Sequence, residues 1–301
     1  MEIGIVSDSH SNPWGQASII EYLREMGINK ENTYNLGDIT GMFPEVIPTI
    51  EMAKAECQLT LIGNHDAVLI DCFEDDSKRD ERIKAIKLNR KELEEKSRYD
   101  LIDWISSFSI DHLKRGVYLV HNSPFGAKDS KSKRYMLARI SESLRDPSNP
   151  MYDQNNSNLI SLSQYPRQVI VRGHAHAPSI QRVKRGLSNP EENMAEYISM
   201  EKGRTLLEID IDPDFTYLVT VGSACGANTI FTKDIDLDYR PSGGIISYDQ
   251  KREEGKITLF RTTKNYAFHK FIESVRNNHK WDNLPEAQKQ IGYLEREVFF
   301  N

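Results

Sequence analysis

Five short apolar runs in this chain each break off into residues that can hold a metal ion, and this placement restricts the fold more than any other feature. The runs at 2–6, 33–36, 59–62, 116–120 and 168–171 have the length and flanking turn residues of buried strands. Behind them stand Asp8 and His10, then Asp38, then Asn64 and His65, then His121, and last His174 and His176. Five of the eight histidines therefore follow directly on a strand signal. Between the runs, apolar residues recur at helical spacing over 14–26, closed by Gly27, and over 44–56, read as helical in spite of Pro48. Alternating strands and helices predict an α/β architecture. In open α/β sheets the loops at the carboxyl ends of strands converge on one crevice, so these distant side chains are expected to meet.

The rest of the chain carries less chemistry. Residues 79–107 are dense in Lys, Arg, Glu and Asp with apolar residues at helical spacing, which reads as the solvated face of one or two helices and gives no functional expectation. Residues 128–144 read as a helix whose Lys128, Lys131, Lys133 and Arg134 suit a soluble helix start. Residues 146–164, rich in Asn, Ser and Pro, read as a loop insert. The runs at 205–211, 215–221, 244–248 and 257–260 suggest an antiparallel set, and 266–276 and 285–297 read as helices too short to bury a core alone. Trp281, Phe299 and Phe300 there would suit a lid or a dimer contact. The expected organisation is one domain over 1–264, with a helical insert at about 71–110 and the loop insert at about 146–164, followed by a helical extension over 265–301.

Composition narrows the function classes. With 38% apolar and 28% charged residues over 301 positions, the chain has globular make-up. A formal charge of −6 argues against a general binder of nucleic acid or anionic membrane, which needs a basic surface. Cys57, Cys72 and Cys225 are odd in number and form no CxxC pair, so neither a disulfide framework nor a thiolate zinc site is suggested. The opening residues have no secretory pattern and no later run could span a bilayer, so a cytoplasmic location is expected.

Taken singly, the polar blocks are ordinary. Asp8-Ser9-His10 suits a helix cap, Gly37-Asp38 a turn, and His121 a satisfied core histidine. Gly63-Asn64-His65-Asp66 is more loaded, since Asn offers an oxygen ligand and His a proton. His174-Ala175-His176 can aim two imidazoles from an extended loop at neighbouring ions. In this order the blocks DxH, GD, GNH with a following acid, a lone His and GHxH resemble the calcineurin-like metallophosphoesterase superfamily over roughly 1–261. His121-Asn122-Ser123-Pro124 and Val221-Gly222-Ser223 are similar to segments of its compact bacterial and archaeal phosphodiesterase branch.

The resemblance implies a four-layer αββα sandwich of two mixed β-sheets flanked by helices, here with a C-terminal helical appendage. It implies that Asp8, His10 and His176 hold one divalent ion, that Asn64, His121 and His174 hold another, and that Asp38 bridges them. Such donors suit Mn, Fe, Zn or Ni better than Mg or Ca, with Mn the first choice. A metal-bridging hydroxide would attack a phosphodiester or phosphomonoester directly, with no phospho-enzyme, while His65 assists the leaving alkoxide. The implied partner is a phosphate-ester small molecule or nucleotide, and a homo-oligomer is left open. The alternatives are a non-catalytic interaction scaffold on the same fold, or a protein or nucleotide phosphatase. Gly37-Asp38 continues as Ile39-Thr40-Gly41, without the Arg-containing extension of protein phosphatases and dinucleoside-tetraphosphate hydrolases. That makes both specificities less favoured and leaves the group that orients His65 unassigned. Ser11 and Asn122 replace glycines usual in the family and crowd the rim, and Arg172 is unassigned.

Overall fold

A computed structural model describes residues 2–71, 81–122, 162–186, 195–226, 238, 240–262, 266–281, 284 and 288. The expected helix over 128–144, most of the 146–164 loop, most of the helix over 285–297, and Phe299 and Phe300 lie outside the described residues.

The described residues form an α/β fold with two mixed six-stranded sheets. In the first, β1 (Glu2–Val6) pairs parallel with β2 (Thr33–Asn35), which pairs parallel with β3 (Leu59–Thr60). On its other side β1 pairs antiparallel with β11 (Ser242–Asp249), followed by β12 (Glu254–Arg261) and β9 (Leu206–Ile211). The second sheet runs β4 (Asp111–Lys114), β5 (Val117–Val120), β6 (Val169–Arg172), β10 (Phe215–Thr220), β7 (Ser179–Lys184) and β8 (Ala195–Ser199). Within it β5, β6 and β10 are mutually parallel. The expectation of one antiparallel set in the second half is therefore corrected. β10 leaves its sequence neighbours for the other sheet, where its alternate residues Tyr217 and Val219 meet the central core.

Period-two alternation explains the layering. Val169, Val171, Tyr217 and Val219 point into the core between the sheets, with Ile3, Ile5, Ile246 and Leu259 opposing them. The intervening Ile170 and Leu218 face outward with Val120 and Leu162. On the first sheet Ile245 and Phe260 face outward instead, against Ile19 and Leu23 of α1 (Pro13–Glu25). Strands buried on both faces read as continuous apolar runs, which is why 168–171 stood out in the sequence.

Helix α1 starts where expected: Asn12 caps it by accepting the Gly15 N–H at 3.1 Å, and Pro13 takes the first position, where no N–H is needed. In α2 (Val46–Glu56) Pro48 falls in the first turn, whose N–H groups have no helical partner, so the proline costs no hydrogen bond. The charged run forms α4 (Glu81–Glu95) and α5 (Tyr99–Ser106), which pack with α2 and α3 (Asn64–Asp71) through Val46, Ile50, Leu69, Ile86, Leu93 and Leu101. Helix α6 (Tyr266–Arg276) buries Phe271, Ile272 and Val275 against Phe43, Ala85 and Trp281. Trp281 is thus a core residue rather than a lid or contact surface. No described helix is long and apolar enough to cross a membrane.

Candidate metal centre

The loops after β1 and β2 lie side by side and define the floor of the site. The Asp8 N–H donates to Gly37 O, the His10 N–H to Asp38 O and the Ser11 N–H to Ile39 O, each at 2.9 Å. To follow this path Asp8, His10, Ser11 and Asp38 all adopt positive φ, as do His174 and His176. Left-handed backbone at non-glycine residues costs about 1–2 kcal/mol per residue and clusters where function demands it. Two glycines permit the closest approaches. A Cβ on Gly63 would meet Asp38 Oδ1 at 2.1 Å, and one on Gly173 would meet Asp8 Oδ2 at 2.4 Å. The expectation that Asn64, His65 and Asp66 sit in a loop is corrected: α3 begins at Asn64, so they occupy its first turn. Asp66 is acidic at a helix N-terminus, a favourable placement.

All seven side chains expected to hold ions come together. On one side His10 Nε2 lies 3.0 Å from His176 Nε2, and Asp8 Oδ1 lies 3.3 Å from His176 Nε2 and 3.9 Å from His10 Nε2. On the other, the side-chain amide of Asn64 faces His174 Nδ1 at 2.8 Å and His121 Nε2 at 3.2 Å. Asp38 stands between them, with Oδ2 3.3 Å from His121 Nε2 and 4.0 Å from His10 Nε2. Two of the rings are set by their far nitrogens. His121 Nδ1 donates to Leu36 O at 2.8 Å and His10 Nδ1 to Thr40 O at 3.3 Å, which leaves each Nε2 to face inward.

His65 is tied to the same aspartate, its N–H donating to Asp38 Oδ1 at 2.7 Å, and its ring meets that of His10 edge-on at 4.5 Å. Asp66 is engaged by backbone groups and a hydroxyl. Its carboxylate accepts the N–H groups of Asp38, Thr40 and Gly63 and the Thr40 hydroxyl, at 2.8–3.1 Å. The His65 ring packs instead on Gly41, where a Cβ would meet Nδ1 at 2.2 Å. That glycine is held by Asn89, which accepts its N–H at 2.6 Å and the Ser11 hydroxyl at 3.0 Å and donates to Phe43 O at 2.8 Å. Asn89 was missed from sequence, although a signal existed: it is a polar residue on the apolar stripe of Ala85, Ile86 and Leu93. Cys225 was missed as well, and its sulfur lies among the nitrogens of His10 and His176. Arg172 is buried and donates to Thr220 Oγ1 at 3.0 Å on the adjoining strand.

Burial opposes charge on every group here, so neighbours decide the outcome. Asp8 is held down at about 2 against its burial because the His176 imidazole faces it. Asp38 is likewise lowered against burial by His121 and His65. His121 answers in kind: burial pulls it down, but the Asp38 charge outweighs this and raises it to about 10. His10 is lowered by burial and then by His65 and His176, and His174 is lowered to about 3 by burial and then by His121. Asp66 moves the other way, raised to about 7 by burial and the Asp38 charge in spite of the hydrogen bonds from Gly63 and Thr40.

The donor set fits divalent transition cations. Carboxylate oxygens, imidazole nitrogens and one amide oxygen are the ligand types such ions take. Asp8 Oδ1 is fully buried with no hydrogen-bond partner, and the Asn64 side-chain amide stands within 3.3 Å of His174 Nδ1, His121 Nε2 and Asp38 Oδ2. A carboxylate oxygen buried in this state is costly unless a positive charge stands beside it. His10, Asp38 and His65 form one group of mutually close donors, and Asp38, His121 and His174 another.

Residues 1–194 match the model of the calcineurin-like phosphoesterase superfamily domain. The fold is similar to the crystal structure of a metallophosphoesterase from Sphaerobacter thermophilus, at a TM-score of 0.61 and 18% identity over 95% of this chain and 100% of that one. A protein provisionally described as a diadenosine tetraphosphatase aligns at a TM-score of 0.43 and 16% identity, over 81% of this chain and 88% of that one. Comparison with curated proteins finds no match. With the matched region spanning well over half of the chain and carrying most of the site, this protein belongs to the calcineurin-like phosphoesterase superfamily.

Proposed function

We propose that the chain hydrolyses a phosphodiester or phosphomonoester with two divalent cations, one held by Asp8, His10 and His176 and one by Asn64, His121 and His174, with Asp38 shared. The observation that carries this reading is the position of Asp38, whose Oδ2 stands within 4.0 Å of imidazole nitrogens from both sides. Bound there, the ions would lower the pKa of a water and offset charge on the phosphoryl oxygens. Manganese is the first choice, with Fe, Zn or Ni also suited to these donors. The chain's own contribution is positional. Asp38 fixes the spacing of the two halves and, through the His65 N–H, the start of α3. His65 then donates a proton to the leaving alkoxide oxygen, with its ring held between His10 and Gly41. A small phosphate ester or nucleotide is the substrate class.

Stripping the purified protein with a chelator is expected to abolish turnover of aryl phosphate mono- and diesters, and Mn to restore it. Activity that survives in protein shown by elemental analysis to be metal-free would overturn the reading. His65→Asn is expected to lower turnover about 10²–10⁴-fold, the range for general acid–base groups, with unchanged metal content. Loss of the ions along with the activity would make His65 a ligand instead.

A further inference from the structure

We propose that Cys225 is a sulfur ligand of the cation held by Asp8, His10 and His176, and that it biases this ion toward a thiophilic metal such as zinc, iron or cobalt. The inference rests on the two-cation reading above and adds to it a donor outside the superfamily's sequence signature.

The argument starts from the segment after β10. Its backbone is laid onto the β1 loop: the Ala224 N–H donates to Ser7 O at 2.8 Å, the Cys225 N–H to Asp8 O at 3.2 Å, and the Ser223 hydroxyl to Asp8 O at 2.8 Å. Cys225 is therefore held beside the very residue that contributes the carboxylate. Its side chain is fully buried, and its Sγ and the ring nitrogens of His10 and His176 all lie within 4.8 Å of one another. Ions of the zinc class bond nitrogen at about 2.0–2.1 Å and sulfur at about 2.3 Å, so one ion spans up to about 4.4 Å between such donors. Independently of the cysteine, Asp8 Oδ1 is fully buried, has no hydrogen-bond partner and is 3.3 Å from Nε2 of His176, one of the two histidines grouped with the sulfur.

Chemistry separates the two halves of the centre. The half built by Asn64, His121 and His174 offers only oxygen and nitrogen, whereas the half beside Cys225 adds a soft donor. Thiolates select zinc and related ions, while oxygen-rich sets accept manganese. The two ions are then different elements when several metals compete. The competing role for Cys225 is structural: its sulfur also meets Ser223 Oγ at 3.1 Å and donates to Gly226 O at 3.6 Å, and the residue belongs to the apolar cluster of Met42, Phe43 and Phe271.

Cobalt(II) distinguishes these roles without reference to turnover. Titrated into the metal-stripped full-length protein, it gives visible d–d bands when bound by the imidazoles and carboxylates, and a separate near-ultraviolet sulfur-to-cobalt band only when a thiolate is coordinated. Both sets are expected in the native chain, and Cys225→Ser is expected to lose the near-ultraviolet band and keep the visible ones. Visible bands without the near-ultraviolet band in the native chain would overturn the cysteine assignment while leaving the two-cation reading intact. So would a near-ultraviolet band that survives in Cys225→Ser, which would place the thiolate elsewhere. No cobalt spectrum at all would overturn both. Because the native spectrum alone decides the first point, the test stands even if Cys225→Ser folds poorly, and Cys225→Ala supplies a second variant.

Discussion

Asp38→Asn is expected to reduce turnover by roughly 10³-fold or more, the equivalent of about 4 kcal/mol of transition-state stabilisation. The substitution keeps the size of the side chain and an oxygen able to accept the His65 N–H, which Asp38 Oδ1 does at 2.7 Å. What it removes is the charge, from the one carboxylate that faces His121 Nε2 on one side and His10 Nε2 on the other. The imidazole at His121 also loses the partner that raises its pKa against its own burial. Elemental analysis of the variant should show fewer than two bound cations per chain, alongside steady-state rates on an aryl phosphate. Native turnover with two ions retained would mean that Asp38 does not bridge.

Gly63→Ala is expected to lower turnover about 10²-fold without removing any donor atom. The added methyl would stand 2.1 Å from Asp38 Oδ1 and 2.2 Å from the Asp38 backbone nitrogen, neither of which can be avoided by a rotamer of alanine. Overpacking of this kind costs about 1–3 kcal/mol of stability. A displacement of about 1 Å in a reacting constellation costs about 10²-fold in rate. Thermal unfolding should therefore show a folded but less stable protein, and the rate loss should exceed what the unfolded fraction explains. An unimpaired rate would show that the Asp38 loop is free to shift.

These expectations depend on features that differ in how visibly they are written in the sequence. Val169 to Val171, Ile3 and Ile5 announce buried strands because both faces of each strand are covered, and the chemistry follows immediately behind them. The strands Ala195–Ser199 and Asp111–Lys114 were not foreseen because they are sheet edges with mostly exposed or half-buried side chains, where no apolar alternation is required. Ser179–Lys184 hides its strand character behind Gln181, a polar residue that is buried all the same. The start of α3 at Asn64 is concealed for a different reason: Gly63-Asn64 has turn chemistry, and only Asp66, bound to the Asp38 and Thr40 backbone, commits it to a helix. Asn89 left only the mark of a polar residue on an apolar stripe, and Cys225 approaches His10 and His176 in space alone, which local pattern does not encode.

Positive φ at Asp8, His10, Asp38, His174 and His176 has a consequence for portability. A short peptide copying Gly173 to His176 would relax to ordinary backbone angles and scatter its imidazoles, since each left-handed residue is kept in place only by the strands and loops pressed around it. Grafting these blocks onto an unrelated scaffold transfers the letters and leaves the geometry behind. The convergence of these side chains is in this sense a property of the two sheets that hold their loops together.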